Sequence, residues 1–97
     1  MRLRFTPRAT ADIIEIADYV RTHNPTAAVR VRAAIFETLQ NLILFPEMGR
    51  RQKVDGVRKV VTRRYRYLIY YAIDETADEI IILNVKHPGR RREHQDV

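Results

Sequence analysis

Residues 57–87 read VRKVVTRRYRYLIYYAIDETADEIIILNVKH, and this stretch decides the fold. Val57–Arg63 can pair as a strand, with Val60 facing away from Val57 and Val61. Tyr65–Ile73 is aromatic and β-branched with little polarity after Arg66, as expected of a central strand covered on both faces. Asp74–Asp78 is a polar turn, and Glu79–His87 is a last strand with a core from Ile80 to Val85. Connections this short allow only an antiparallel meander.

Outward from that meander, the N-terminal half is helical. Residues 2–6 alternate, with Leu3 and Phe5 opposite Arg2, Arg4 and Thr6, and predict a short half-buried strand. Thr6-Pro7 supplies an N-cap followed by proline at the first helical position. Ala9, Ile13, Ile16, Ala17 and Val20 then share one face at helical spacing, while Asp12, Glu15 and Asp18 fall outside it. Asn24-Pro25 repeats the cap-and-proline signal so soon that the two helices must fold back as a hairpin. In the second helix Ala28, Val31, Ile35, Leu39 and Leu42 form one stripe, and Val29, Ala33, Phe36, Ile43 and Leu44 a second apolar flank. Helix one and the sheet would cover such a helix, or a partner protein would cover the second flank. Phe45-Pro46 ends it, and residues 46–56 read as an ordered loop. The expected fold is α+β, β-α-α-β-β-β, with the helical hairpin on one face of a small antiparallel sheet.

At 97 residues with 45% hydrophobic side chains, the chain supports one core without staples. It has no Cys, which excludes disulfides, thiolate metal sites and a cysteine nucleophile. No apolar run approaches a membrane span and no signal-like segment opens the chain, so a cytoplasmic protein without membrane contact is expected. The expected domain covers residues 1–92, followed by a polar tail at 93–97.

The net charge of +6 is local: residues 50–66 carry eight basic residues against the single Asp55, whereas residues 67–85 hold four acids and no Lys or Arg. Arginine dominates, which favours bidentate contact with phosphate or carboxylate. The meander brings Arg63, Arg64 and Arg66, where the second strand turns into the third, toward Lys86, His87, Arg90, Arg91 and Arg92 at the end of the fourth. The result is one basic patch with Tyr65 and Tyr67 close by. Its cations would stabilise a phosphorane-like charge, its histidine would transfer a proton, and its tyrosines would stack on bases. His87 is equally readable as a strand-end histidine bonded to a neighbouring carbonyl. No Ser-His-Asp set, metal-ligand cluster or glycine-rich phosphate loop is present, so no metal or cofactor is expected.

The order of several short strings is more specific. They are Phe5-Thr6-Pro7-Arg8-Ala9, Ala11-Asp12-Ile13, Asp18-Tyr19, Asn24-Pro25, Leu42 and Phe45-Pro46-Glu47-Met48-Gly49-Arg50. Val57-Arg58, Tyr65-Arg66-Tyr67, Ile69-Tyr70-Tyr71 and Ile82-Leu83-Asn84-Val85-Lys86-His87 follow. Over residues 3–92 the chain resembles the ParE/RelE superfamily of toxins from bacterial type II toxin–antitoxin modules. The physical readings beside these strings are that Gly49 supplies a backbone turn that a side chain would hinder and that Tyr19 and Leu42 cap the packing of the hairpin.

The resemblance implies a growth inhibitor held inactive in a hetero-oligomer with a cognate, ParD-like antitoxin. The N-terminal part of that antitoxin would bind operator DNA, and its C-terminal segment would fold onto the toxin. The flank Val29, Ala33, Phe36, Ile43 and Leu44 is the expected docking surface. For a RelE-like member, cutting mRNA on the ribosome, the resemblance places Arg66, Lys86, His87 and Arg91 in the reaction. No Tyr follows Tyr71, however, and His87-Pro88-Gly89-Arg90-Arg91 is similar to the ending of ParE-like members. Those lack the nuclease set and poison DNA gyrase by binding. The ParE-like branch is therefore the expected one, with Arg63, Arg64, Arg66, Lys86, His87, Arg90 and Arg91 as target-binding residues and no catalytic role.

Overall fold

The computed structural model describes residues 1–89. Its elements are β1 (Arg2–Phe5), α1 (Pro7–His23), α2 (Pro25–Leu44), a single 3₁₀ turn (Pro46–Met48), β2 (Arg50–Arg51), β3 (Arg58–Val61), β4 (Leu68–Asp74) and β5 (Glu79–Lys86). The sheet order is β1-β5-β4-β3-β2, antiparallel from β5 to β2, with β1 joining β5 in parallel. The helical hairpin returns the chain from β1 to the far side of the sheet, and that crossover is what makes the parallel pair possible.

Two strand readings need correction. The stretch 46–56 is not all loop, because Arg50 and Arg51 pair with Lys59 and Arg58 and add a fifth strand. Tyr65 and Arg66 are not in the central strand: both have positive φ (67° and 54°) and belong to the turn between β3 and β4. The proposed tail at 93–97 lies outside the described residues, as do Arg90, Arg91 and Arg92.

Capping residues tie the helices to the sheet. The Thr6 hydroxyl accepts from the Ala9 N–H (3.0 Å) and donates to the Leu83 carbonyl (2.8 Å), so one side chain starts α1 and fixes it to β5. Asn24 serves both helices. Its N–H donates to the Val20 carbonyl at the end of α1, and its side chain accepts from Ala27 N–H at the start of α2.

The core lies between hairpin and sheet. Ala9 and Ile16 of α1 and Val31, Ile35, Leu39 and Leu42 of α2 meet Val60, Ile69, Tyr71, Ile80, Ile82 and Val85. Both predicted apolar stripes therefore face inward as expected, except that Ala17 is exposed. Tyr70 opposes Asn84 and Tyr71 opposes Ile82, so Leu83 is an extra residue that bulges β5. Past the end of β1, the outer edge of β5 has no strand partner among the described residues. Asp12 fills that role, its carboxylate accepting from the Val85 N–H at 2.9 Å. Asp12 is thus turned toward the sheet, although its helical position lies off the apolar face. Glu79 is likewise structural, bridging Arg2 (3.1 Å) and Arg4 (3.0 Å) of β1. No helix among the described residues is long and apolar enough to cross a membrane.

Candidate functional site

Two turns at opposite ends of β3 are built more firmly than surface loops usually are. The first is Phe45–Arg51. The Tyr71 hydroxyl, reaching across from β4, accepts from Gly49 N–H (2.8 Å) and donates to the Pro46 carbonyl (2.7 Å). Arg58 donates to the carbonyls of Glu47 and Gly49. Burial pushes the Tyr71 phenol above its ordinary pKa, with the Gly49 N–H and the nearby Arg58 opposing the shift. Gly49 has an ordinary extended backbone (φ −76°, ψ 158°), so the turn does not require glycine for its conformation. Space requires it: a Cβ there would sit 2.5 Å from Tyr71 Oη and 3.0 Å from the Lys59 carbonyl.

The second turn is Arg63–Arg66. Thr62, with no exposed surface, accepts from Tyr67 N–H (2.9 Å) and donates to the Arg64 carbonyl (2.6 Å). Thr62 N–H donates to the Tyr67 carbonyl, closing the hairpin. Holding Tyr65 and Arg66 in the left-handed region costs about 1–3 kcal/mol each, because neither side chain favours it. Strain of this kind persists only where the surroundings over-determine it, and here the buried Thr62 clamp does so.

Of the residues expected in one basic patch, the structure sets Arg63 and Arg64 beside α2 and His87 beside α1. Leu68 does lie opposite Lys86, so the start of β4 adjoins the end of β5 as the meander requires. Arg63 and Arg64, however, face α2. They line a cleft of roughly 470 Å³ with Arg30, Ala33, Ala34 and Glu37. His87 instead meets α1: its ring packs edge-on against Tyr67 (centroids 5.3 Å) and Tyr19 (6.3 Å), and Tyr19 stacks on His23 at 4.1 Å. His87 Nδ1 accepts from Gly89 N–H at 2.9 Å, so the neutral ring carries its proton on Nε2. Tyr19 consequently does not cap the hairpin's packing; it is 46% exposed and belongs to this aromatic corner, while Leu42 is fully buried in the core as expected. The i, i+4 spacing of Tyr19 and His23 was the available signal for their pairing, but nothing in the sequence joined them to His87.

The expected apolar docking flank also divides. Phe36 lines a groove of about 310 Å³ between the helices, with Phe5, Ile13, Ile14, Val20, Arg32 and Leu39 among its walls. Among the described residues, Arg32 is the one charged residue on those walls. Ala33 belongs to the arginine cleft, and Leu44 to a hollow with Phe45, Met48 and Met1 at the far end of α2. Val29 is 71% exposed and Ile43 half-buried. Helical patterning misses Ile14, which looks like an ordinary surface apolar residue until the hairpin is closed, whereas Phe5 comes from the apolar face of β1.

A helical hairpin laid on one face of this sheet, with an apolar groove outside and arginines at the β3–β4 turn, defines a ParE/RelE-type toxin fold. The fold matches a chain of the chromosomal ParDE toxin–antitoxin system from P. aeruginosa with a TM-score of 0.76, at 27% identity over 90% of this chain and 95% of that one. It also matches a chain of the intact E. coli RelBE toxin–antitoxin complex (TM-score 0.65, 15% identity, 92% and 98% covered), a likeness of fold alone. The model of the ParE toxin of the type II toxin–antitoxin system, parDE, matches residues 3–92, and the chain belongs to that family. It is also 34% identical over 86 residues to "Putative toxin Y4kP" of Sinorhizobium fredii, covering 89% of this chain and 86% of that protein.

Proposed function

We propose that this toxin arrests bacterial growth from the cytoplasm by binding and poisoning DNA gyrase, and that a cognate antitoxin silences it by occupying the groove between α1 and α2. The observation that carries the reading is the ParE match through residues 3–92. The packing of His87 supports it. The imidazole is held against two tyrosine rings and engaged through Nδ1 by the backbone, an arrangement suited to shape rather than to proton transfer. Arg66, Lys86 and His87 then serve as contacts to the target, with no catalytic role.

The groove suits an amphipathic segment that folds on binding. Apolar side chains filling it supply the burial that offsets ordering, and one acidic residue would meet Arg32. The decisive experiment adds the purified toxin to gyrase with supercoiled DNA and, in parallel, to a reconstituted translation system. Accumulated gyrase-cleaved DNA with intact message is the expected result. Message cut at A-site codons, abolished by Arg66→Ala with His87→Ala, would replace the reading with a RelE-like ribonuclease. For the antitoxin, Phe36→Asp and Ile14→Asp should each weaken the complex about a hundredfold or more. Unchanged affinity in both would move the docking site off the groove.

A further inference from the structure

The hollow at the far end of α2 lies outside both the groove and the basic residues assigned to the target. Its apolar walls include Met1, Leu44, Phe45 and Met48, so both methionines of the chain meet there. Its charged residues are Glu47 and Glu75, and among the described residues neither makes an ion pair. Arg51 and Arg58 line the adjoining depression with the same two carboxylates, but Arg58 is engaged by the carbonyls of Glu47 and Gly49. The groove between the helices is the reverse, apolar with Arg32 on its wall, and no residue lines both surfaces. Two separate apolar surfaces of opposite charge call for two partners of opposite charge.

The walls of the hollow protrude. Leu44 is 69% exposed and Phe45 62%, so they bury their area only against a surface of macromolecular size, and a small cation would leave them in water. The frame beneath them is rigid. The Tyr71 hydroxyl and the Arg58 guanidinium hold the turn from Pro46 to Gly49, so Phe45 and Met48 are presented at little ordering cost. Methionine adapts its flexible thioether to whatever apolar face is laid on it. We propose that this hollow docks a basic amphipathic helix of a partner protein, its apolar face on Phe45 and Met48 and its Lys or Arg side chains on Glu47 and Glu75. A helix offers an apolar stripe with cations beside it, the complement of methionines rimmed by carboxylates. Nucleic acid, an anionic lipid surface and an acidic segment would each be repelled by that rim. The inference does not depend on which target the toxin arrests.

The test is fluorescence anisotropy of the purified full-length chain with a labelled Leu/Lys amphipathic helix of about 14 residues, or about four turns. The same pattern with Glu in place of Lys, and a scrambled Leu/Lys peptide, serve as comparisons. The net charge of +6 favours the Glu peptide at long range, so a preference for the Lys peptide can come only from a local acidic site. The Lys peptide should bind at least about tenfold more tightly than either comparison. Phe45→Ser with Met48→Ser should weaken it about tenfold or more, and Glu47→Gln with Glu75→Gln about fivefold with a flatter salt dependence. Leu44→Ser replaces the double Ser variant if melting shows that variant to be misfolded. Val54→Ser, at an exposed apolar residue outside the hollow, should change little. Equal or tighter binding of the Glu or scrambled peptide, wild-type affinity in either hollow variant, or an equal loss on Phe36→Ser in the groove overturns the proposal. Sedimentation of the free chain tests the other occupant: a dimer lost on Phe45→Ser would assign the hollow to a second copy instead.

Discussion

The turns at the two ends of β3 solve one problem in opposite ways. Each presents exposed side chains on a fixed frame: Phe45 and Met48 in one, Arg63–Arg66 in the other. At Phe45–Arg51 the backbone is relaxed and the rigidity comes from outside, through a tyrosine hydroxyl that needs the empty space beside Gly49. At Arg63–Arg66 the clamp is local and the backbone itself is strained, with two large residues where glycine or asparagine would be at ease. A turn fixed by close approach should be intolerant of added volume. A turn fixed against strain should be improved by removing side chains.

Gly49→Ala is therefore the largest expected effect. Its Cβ would displace the Tyr71 ring and break both bonds of the hydroxyl, costing about 3 kcal/mol. For a domain of this size that lowers the melting temperature by roughly 10–20 °C. A variant melting within a few degrees of wild type would show that the ring has room to give.

Tyr71→Phe comes next, at about 2 kcal/mol, because Gly49 N–H and the Pro46 carbonyl lose their partner. It also carries a pH signature. Since the folded-state pKa of Tyr71 is raised, the phenol's contribution is intact below the ordinary tyrosine pKa of about 10 and is lost as pH climbs through the higher folded value. Thermal melts across the alkaline range should fall less steeply for Tyr71→Phe than for wild type. Parallel curves would mean that the hydroxyl is not the group being held neutral.

Thr62→Val tests the other clamp. It keeps the volume but leaves the Tyr67 N–H buried without its acceptor, and chemical denaturation should show a loss of about 1–2 kcal/mol. Arg66→Gly is the smallest effect and has the opposite sign. Relief of the left-handed strain outweighs the extra flexibility of the unfolded chain, for a gain of about 0.5–1 kcal/mol. A destabilised Arg66→Gly would break the contrast between the two turns.

The same contrast explains what was legible beforehand. Gly49 stood out because glycine after Phe45-Pro46-Glu47-Met48 signals a special position, though the reason proved to be the tyrosine lying 22 residues away. Tyr65 and Arg66 gave no such signal. Aromatic and β-branched composition favoured extending the strand through them, and only the Thr62–Tyr67 closure overrides that preference. The two-residue strand β2 was illegible for a related reason, since it exists through its pairing with β3 and has no pattern of its own.

At the candidate site, patterning along α2 recovered Phe36, but the flank it drew divides among three different hollows. Helical periodicity reports which residues share a face; it does not report what stands opposite that face. Arg30 lies off both apolar stripes of α2 and becomes one wall of a cleft only because the β3–β4 turn arrives beside it.

By itself, the sequence determined both helices and their caps, the three-strand meander, the helices' inward stripes and the location of positive charge. These follow from spacing and from side chains acting on their own backbone, and both are local. The tertiary structure decided the parallel seat of β1 and the turning of Asp12 onto Val85. It also closed the aromatic corner around His87 and set Arg63 and Arg64 beside Arg30 of α2. Each of these depends on groups far apart in the chain, whose meeting is set by how the hairpin crosses the sheet.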